Sequence, residues 1–466
     1  MERADTFRGL LRGLFSGLSP LRRVAAAGLL ACSSQPVSPV VQTPEPPAGV
    51  DATVTIDPSH IFQTIEGWGV SVGSFGDPHV LNVPYDAVPP LEVPLSDQRQ
   101  ILDTLFRGIG LMRGRMGTHP RDIETVNDNG DPNVTDLTKF DFSGLKNDAF
   151  VDIAGDLRSR GMTRWWLSPN AFETWMTEDN ALEYVEWAMA IMRRWRDKGL
   201  ELSYYSIANE PAGIAGPAGN AEYLRHVVTL LGRVLKAEGF ATRIVIPDDV
   251  NPIEAEARAR VILADPEARQ YVAALPFHLY GHPLSSIEAL KGLSEQYRIP
   301  LWMSEYYTHN AMDWVQLVHG LLVDYNVSAI DYIAGYLGYD DGAELISIDH
   351  DFNRYLGFTV HGQFYWFGNY TKYVRPGAVR IATTSTSLSA LTSAFILGGR
   401  ATIVAINSGE TPLTVRFDVS KVPDRRGFSA VRSSDNEHLL PLGAPVLRDG
   451  NLIMTLPAAS ITTLYQ

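Results

Sequence analysis

The chain has 466 residues, far more than one small core needs, and a single α/β barrel takes about 250 of them. Hydrophobic residues make up 45% and charged residues 20%, the balance of an ordinary folded domain rather than a disordered or membrane-spanning chain. The net charge is −14, and no block of Lys or Arg interrupts the body, which speaks against nucleic acid as a partner.

The N-terminus departs from that balance. Arg3, Arg8, Arg12, Arg22 and Arg23 stand against only Glu2 and Asp5, and the short apolar run "VAAAGLLAC" follows. The run is too short to cross a bilayer as a helix. It ends in Leu29-Leu30-Ala31-Cys32, which resembles a bacterial lipobox, where the cysteine is lipidated and becomes the mature N-terminus. Cys32 is the only cysteine, so no disulfide forms within the chain. Residues 1–31 are therefore expected to be a lipoprotein signal peptide, and Cys32 the anchor to a cell-envelope membrane. Residues 32–50, rich in Pro and Ser, read as an extended tether.

From Asp51 the pattern changes. "ATVTIDP" is strand-like, and residues 51–65 are expected to pair into a domain at the other end of the chain. "IEGWGVSVG", "LMRGRM", "TRWWLS", "LSYYSIA", "TRIVIP", "AALPFHLY", "PLWMSE" and "SAIDYIAGY" then follow as eight short, mostly apolar runs. Such runs suit strands covered on both faces, as in a parallel sheet. Helical patterns separate them: Leu182, Val185, Met189 and Met192 recur at helical spacing, and "AEYLRHVVTLLGRVLKAEG", "EAEARARVILA" and "WVQLVHGLLVDY" fit the same template. Eight strands in repeated βα order predict a closed (β/α)8 TIM barrel over residues 66–370. From about Arg380 the runs are short, alternating and separated by turns, which predicts a β-sandwich over 371–466.

In such a barrel the C-terminal strand ends share one face, where function gathers. Glu210 follows the fourth strand in "YSIANEPAG", and Glu305 closes the seventh in "LWMSEYY". Two carboxylates over one cleft are what cleavage of a glycosidic bond requires. One protonates the leaving oxygen while the other attacks the anomeric carbon or activates water. The 11 histidines show no clustered ligand spacing such as HExxH, so neither a metal nor a cofactor is expected.

"SIANEP" and "LWMSEYY", together with "PFHLYG", "SPNAFETWM", "YTKYVRPGAVRI", "ATIVAINSG" and "LPAASITTL", resemble glycoside hydrolase family 30, a family of retaining β-glycosidases. The agreement runs in order from about Glu66 to the C-terminus. It implies a barrel with a β-sandwich built from both chain ends, Glu210 as general acid/base and Glu305 as nucleophile. It also implies Asn209 on the sugar hydroxyl beside the anomeric centre, and His278 and Tyr280 as a pair on strand six. Arg113 is expected to be the arginine that keeps Glu305 ionised, in preference to Arg115. Trp175, Trp302, Tyr306, Tyr336 and Tyr339 are candidate stacking faces for sugar rings.

The nearest members by motif are the glucuronoxylan xylanases, yet they carry an Arg after strand eight to grip the uronate branch. This chain has "AGYLGYDD" there, with Asp340 and Asp341 close by. The sequence thus predicts a monomeric, lipid-anchored retaining hydrolase of a β-linked polysaccharide or oligosaccharide, xylan-like by first choice. Within the same family the alternative is a glucosylceramidase-like exo-enzyme or a β-1,6-glycanase. From another class comes a non-catalytic glycan-binding lipoprotein, which would have no use for both carboxylates.

Overall fold

The computed structural model describes residues 49–75, 77–83, 90–143, 148–214, 216–338, 342–424 and 426–466. The leader, Cys32 and the tether up to residue 48 lie outside the described residues, as do Tyr339, Asp340 and Asp341.

After β1 (Ala52–Thr64), eight parallel strands form the barrel: β2 (Gly67–Ser71), β3 (Arg113–Thr118), β4 (Arg164–Pro169), β5 (Tyr204–Ser206), β6 (Arg243–Val245), β7 (Leu275–His278), β8 (Leu301–Glu305) and β9 (Ala329–Tyr332). Hydrogen bonding follows the order β6-β5-β4-β3-β2-β9-β8-β7. Parallel bridges from Ile244 to Val272 and from Asp249 to Phe277 bring the two ends of that order together and nearly close the ring. Every residue of β7, β8 and β9 is buried, the expected state of strands with side chains inside and helices outside.

The outer helices start on side-chain caps. Asn220, Asn251 and Asn310 each accept a hydrogen bond from the first turn of the helix that follows, and Pro252 occupies the position where no N–H is needed. The helix Ala221–Ala237 buries Leu224, Val227, Val228, Leu231 and Leu235 as one stripe. In the helix Ala181–Asp197, Val185, Met189 and Met192 are buried as their spacing predicts, but Leu182 in the first turn is 43% exposed.

Inside the barrel, Trp166, Trp302, Val245, Ala273, Ala274 and Ala329 form a separate buried cluster. Across it runs an ion pair, with Arg113 Nε and Nη2 donating to Asp331 at 2.8 and 3.0 Å. A side chain on Gly69 would place its Cβ 2.1 Å from Asp331 Oδ1 and 2.6 Å from Arg113 Cβ, so only glycine lets this pair pass.

Beyond β9 the chain adds a small sheet that the apolar patterning does not predict: β10 (Tyr336–Leu337), β11 (Ile346–Asp351) and β12 (Arg354–Val360). The second domain is a ten-stranded sheet curled over its own core of Val54, Ile56, Ile403, Val415, Phe417 and Leu452. Its remaining strands are β13 (Val379–Ser385), β14 (Ala390–Leu397), β15 (Arg400–Asn407), β16 (Leu413–Asp418), β17 (Ser429–Ser434), β18 (Glu437–Leu442), β19 (Leu447–Arg448), β20 (Asn451–Leu456) and β21 (Ser460–Tyr465). β1 lies inside this sheet, antiparallel to β13 and parallel to β16, with Val54 opposite Ser385 and Phe417. The first and last strands of the described residues are thereby built into one sheet. It is fastened to the barrel through the helix Gly362–Thr371, where Asn369 donates to Ser433 Oγ at 2.8 Å and Thr463 Oγ1 donates to the Asn369 carbonyl at 2.8 Å.

Candidate active site

β5 is short, and the chain turns sharply after it. Glu210 adopts a left-handed conformation at φ 50°, unusual for a residue with a side chain. Two backbone bonds hold the turn: Asn209 N–H donates to the Pro169 carbonyl at 2.7 Å, and Glu210 N–H donates to the Asp248 carbonyl at 2.9 Å. The loop after β5 is thus tied to the ends of β4 and β6, and Glu210 meets Glu305 from the end of β8. One carboxylate oxygen of each, and one ring nitrogen of His278, lie within 4.8 Å of one another. Glu210 keeps 31% of its side chain exposed and Glu305 only 9%, so water reaches the first far more readily than the second.

Arg115 organises the floor beneath them. Its Nη1 donates to Glu305 Oε2 at 2.7 Å, and its Nη2 donates to Asn209 Oδ1 and, at 3.1 Å, to Asp248 Oδ2. The arginine beside Glu305 is therefore Arg115, and the expectation of Arg113 in that place is corrected. Side chains two apart on a strand share a face, so both point into the barrel, but Arg115 stands one layer nearer the C-terminal mouth. Arg113 lies below, its guanidinium 4.0 Å from the Trp302 ring centre.

Asp248 is the residue that sequence reasoning missed. It is fully buried and accepts hydrogen bonds from Ser168 Oγ at 2.5 Å and Ser304 Oγ at 2.7 Å, besides Arg115. His278 is the fourth partner, with its Nε2 3.3 Å from Asp248 Oδ1 and its Nδ1 2.9 Å from Glu210 Oε1. A signal was present in the acids of "IVIPDDVN", which follow an apolar run as Glu210 does.

The charges follow from this arrangement. Burial opposes charge on His278, but Glu305, Asp248 and Glu210 outweigh it and push the imidazole up to about 10. His278 is then an imidazolium that donates from both nitrogens. Burial would raise the Glu210 carboxyl, yet the His278 imidazolium and Arg115 hold it below the usual range. Burial likewise opposes the charge of Asp248, and Arg115 and His278 overcome it to hold that carboxylate ionised. Tyr280 OH donates to Glu305 Oε1 at 3.0 Å, and burial, then Glu305, raise its pKa well above the ordinary phenol value. With Arg115 and the His278 imidazolium already among the carboxylates, the cluster has its counter-charges built in.

The aromatic candidates divide. Trp302 is buried in the barrel interior with its indole N–H on Glu66, and Tyr336 is buried with its hydroxyl on the Gly73 carbonyl and its ring stacked 4.5 Å from Phe75. Both expectations of a sugar-stacking face are corrected, because these rings are already covered by protein. Trp175, in the loop after β4, and Tyr306, directly after Glu305, remain half-buried on the mouth side. Tyr306 packs 5.5 Å from the Tyr280 ring.

No family model matches the chain. The glucuronoxylanase XynC of Bacillus subtilis strain 168 is 29% identical over 219 residues, which cover 43% of this chain and 48% of that protein. The chain thus spans about half the length of the curated relatives it matches. Among solved structures, the family 30 subfamily 8 xylanase Xyn30A from Clostridium acetobutylicum superposes with a TM-score of 0.67 at 21% identity, covering 89% of this chain and 99% of that one. The catalytic domain of the family 30 xylanase C from Talaromyces cellulolyticus gives 0.71 at 20% identity, with 89% and 99% covered. The endo-β-1,6-glucanase BT3312 gives 0.68 at 18%, with 90% and 94% covered. The chain has the fold of the family 30 glycoside hydrolases. In that fold the ends of β5 and β8, where Glu210 and Glu305 stand, open on one mouth.

Proposed function

We propose that this protein is a family 30 glycoside hydrolase that cleaves β-linked polysaccharide with retention of anomeric configuration. The observation that carries the reading is the pair of carboxylates, with oxygens within 4.8 Å of each other. Retaining enzymes hold theirs about 5–5.5 Å apart, whereas inverting enzymes need about 6.5–9.5 Å to admit a water.

Glu305 attacks the anomeric carbon as Glu210 gives its proton to the departing oxygen, leaving a glycosyl ester on Glu305. Glu210, now ionised beside the His278 imidazolium, takes a proton from water, and that water displaces the sugar from Glu305. Arg115 and the Tyr280 hydroxyl hold the Glu305 carboxylate in place for attack and take up its charge again when it leaves. Asn209 has its carbonyl on Arg115, which leaves its amide to donate to the hydroxyl beside the anomeric centre.

The substrate reading is a xylan-like β-glycan with no requirement for glucuronate branches. A charge-assisted grip on a uronate needs a cation, and such bonds are roughly twice as strong as neutral ones. The sequence after β9 supplies Tyr336, whose side chain is turned into protein, and then the acids Asp340 and Asp341. Hydrolysis of glucuronoxylan compared with the same polymer stripped of its uronates tests this. Comparable rates support it; cleavage that disappears with the branches shows that another cation, such as the exposed Arg354, reads them.

A further inference from the structure

A second group of acids lies away from the catalytic carboxylates and shares no residue with them. The loop after β3 supplies Glu124 and Asp128, and the first turns of the helix Ala181–Asp197 supply Glu183 and Glu186, three apart on one face. Ligand oxygens of Asp128, Glu183 and Glu186 lie within 4.8 Å of one another. Glu183 is 1% exposed, Glu124 2% and Glu186 7%. No Lys or Arg among the described residues forms a salt bridge with any of the four.

Acid clusters are common on surfaces, but this one is buried and short of donors. Asp128 Oδ1, Glu183 Oε1, Glu186 Oε1 and the amide oxygen of Asn127 are each shut off from solvent and accept no hydrogen bond. Two other oxygens of the group do have partners: Glu124 Oε1 accepts from Asp128 N–H at 2.7 Å, and Asp128 Oδ2 accepts from Asp136 N–H. These contacts fix the loop and leave three free carboxylate oxygens, one from the loop and two from the helix. Buried carboxylates without a counter-charge are costly, and an unpaired buried acceptor adds to that cost.

We infer that Asp128, Glu183 and Glu186 form a binding site for one calcium ion. The donors are all oxygen, which suits a hard cation and disfavours zinc. Calcium–oxygen bonds run about 2.3–2.6 Å, so two ligands of one ion lie at most about 5 Å apart, the spacing found here. Water completes the six to eight positions that calcium takes. The ion joins the loop after β3 to the helix after β4, both on the mouth side of the barrel, and so stiffens one wall of the cleft.

The test uses the full chain. Protein stripped with a chelator is titrated with calcium chloride by calorimetry, and its Tm is followed with and without calcium. One ion per chain is expected, with a Tm rise of roughly 3 °C at a hundredfold excess over Kd. Glu183→Gln/Glu186→Gln should lose both the binding heat and the Tm rise, with catalytic turnover of the folded variant retained. Should that variant not fold, elemental analysis of the wild-type protein and terbium luminescence competed by calcium still decide the matter. If wild-type protein neither binds calcium nor gains in Tm, the acids share protons instead and the site does not exist.

Discussion

Arg113 and Arg115 sit two residues apart on β3 and face the same interior, yet they carry different loads. Arg113→Lys breaks a bidentate pair with Asp331 that is almost wholly buried, so it should lower stability by about 3 kcal/mol or more while leaving kcat within a few-fold. Arg115→Lys should instead cost about 10²-fold in kcat, because the contacts to Glu305 and Asn209 cannot both be kept. Thermal unfolding and steady-state kinetics on the two variants separate these effects; equal losses of turnover would contradict the assignment. Glu210 supplies a second residue-scale outcome. Its pKa is held below the usual range, and the first step needs its protonated form. Rates on natural glycans should therefore fall as pH rises, with that fall lying on the acid side of an ordinary carboxyl titration, whereas an aryl glycoside with a good leaving group, which needs no proton, should hold its rate to higher pH. Azide should rescue Glu210→Ala on that aryl substrate.

At the scale of elements, β7 and the loop after β6 carry a linked pH signature. His278 has a folded pKa of about 10 against about 6.5 unfolded. Its contribution to stability is full below pH 6.5 and is lost as pH rises through 10. Asp248 is shifted the other way, so its contribution is present above about pH 4 and is lost as pH falls below that. Denaturation midpoints of His278→Gln should accordingly depend less on pH between 6.5 and 10 than those of the wild type. The β1 strand gives a sharper test. Because it is bonded on both edges, a chain starting at residue 49 should fold, and one starting at residue 65 should be insoluble. These elements also show what a sequence discloses. The barrel strands were legible because a strand buried on both faces is mostly apolar, and Glu210 and Glu305 because carboxylates interrupt those runs at their ends. Layering was not legible: a period of two places Arg113 and Arg115 on one face but does not say which is nearer the mouth. Trp302 and Tyr336 misled for a related reason, since the same aromatic suits a covered core and an open sugar platform. The acids gathered by the loop after β3 and the helix after β4 have no common spacing, because only the fold brings them together.

For the whole molecule, the N-terminal segment and the catalytic body make separable claims. If Cys32 is lipidated, acyl chains hold the protein to membrane, and Cys32→Ser should move it to the soluble fraction with catalytic activity intact. Wild-type protein that is soluble and free of lipid would end that proposal without touching the hydrolase. The hydrolase stands on the geometry of two glutamates at the ends of β5 and β8. The most direct test follows the anomeric proton of the first-formed product by NMR during hydrolysis of a β-linked glycan. Double displacement through Glu305 predicts that the β-anomer appears first and mutarotates afterwards. An initial α-anomer would mean that water attacks directly, and would contradict the assignment of Glu305 as nucleophile.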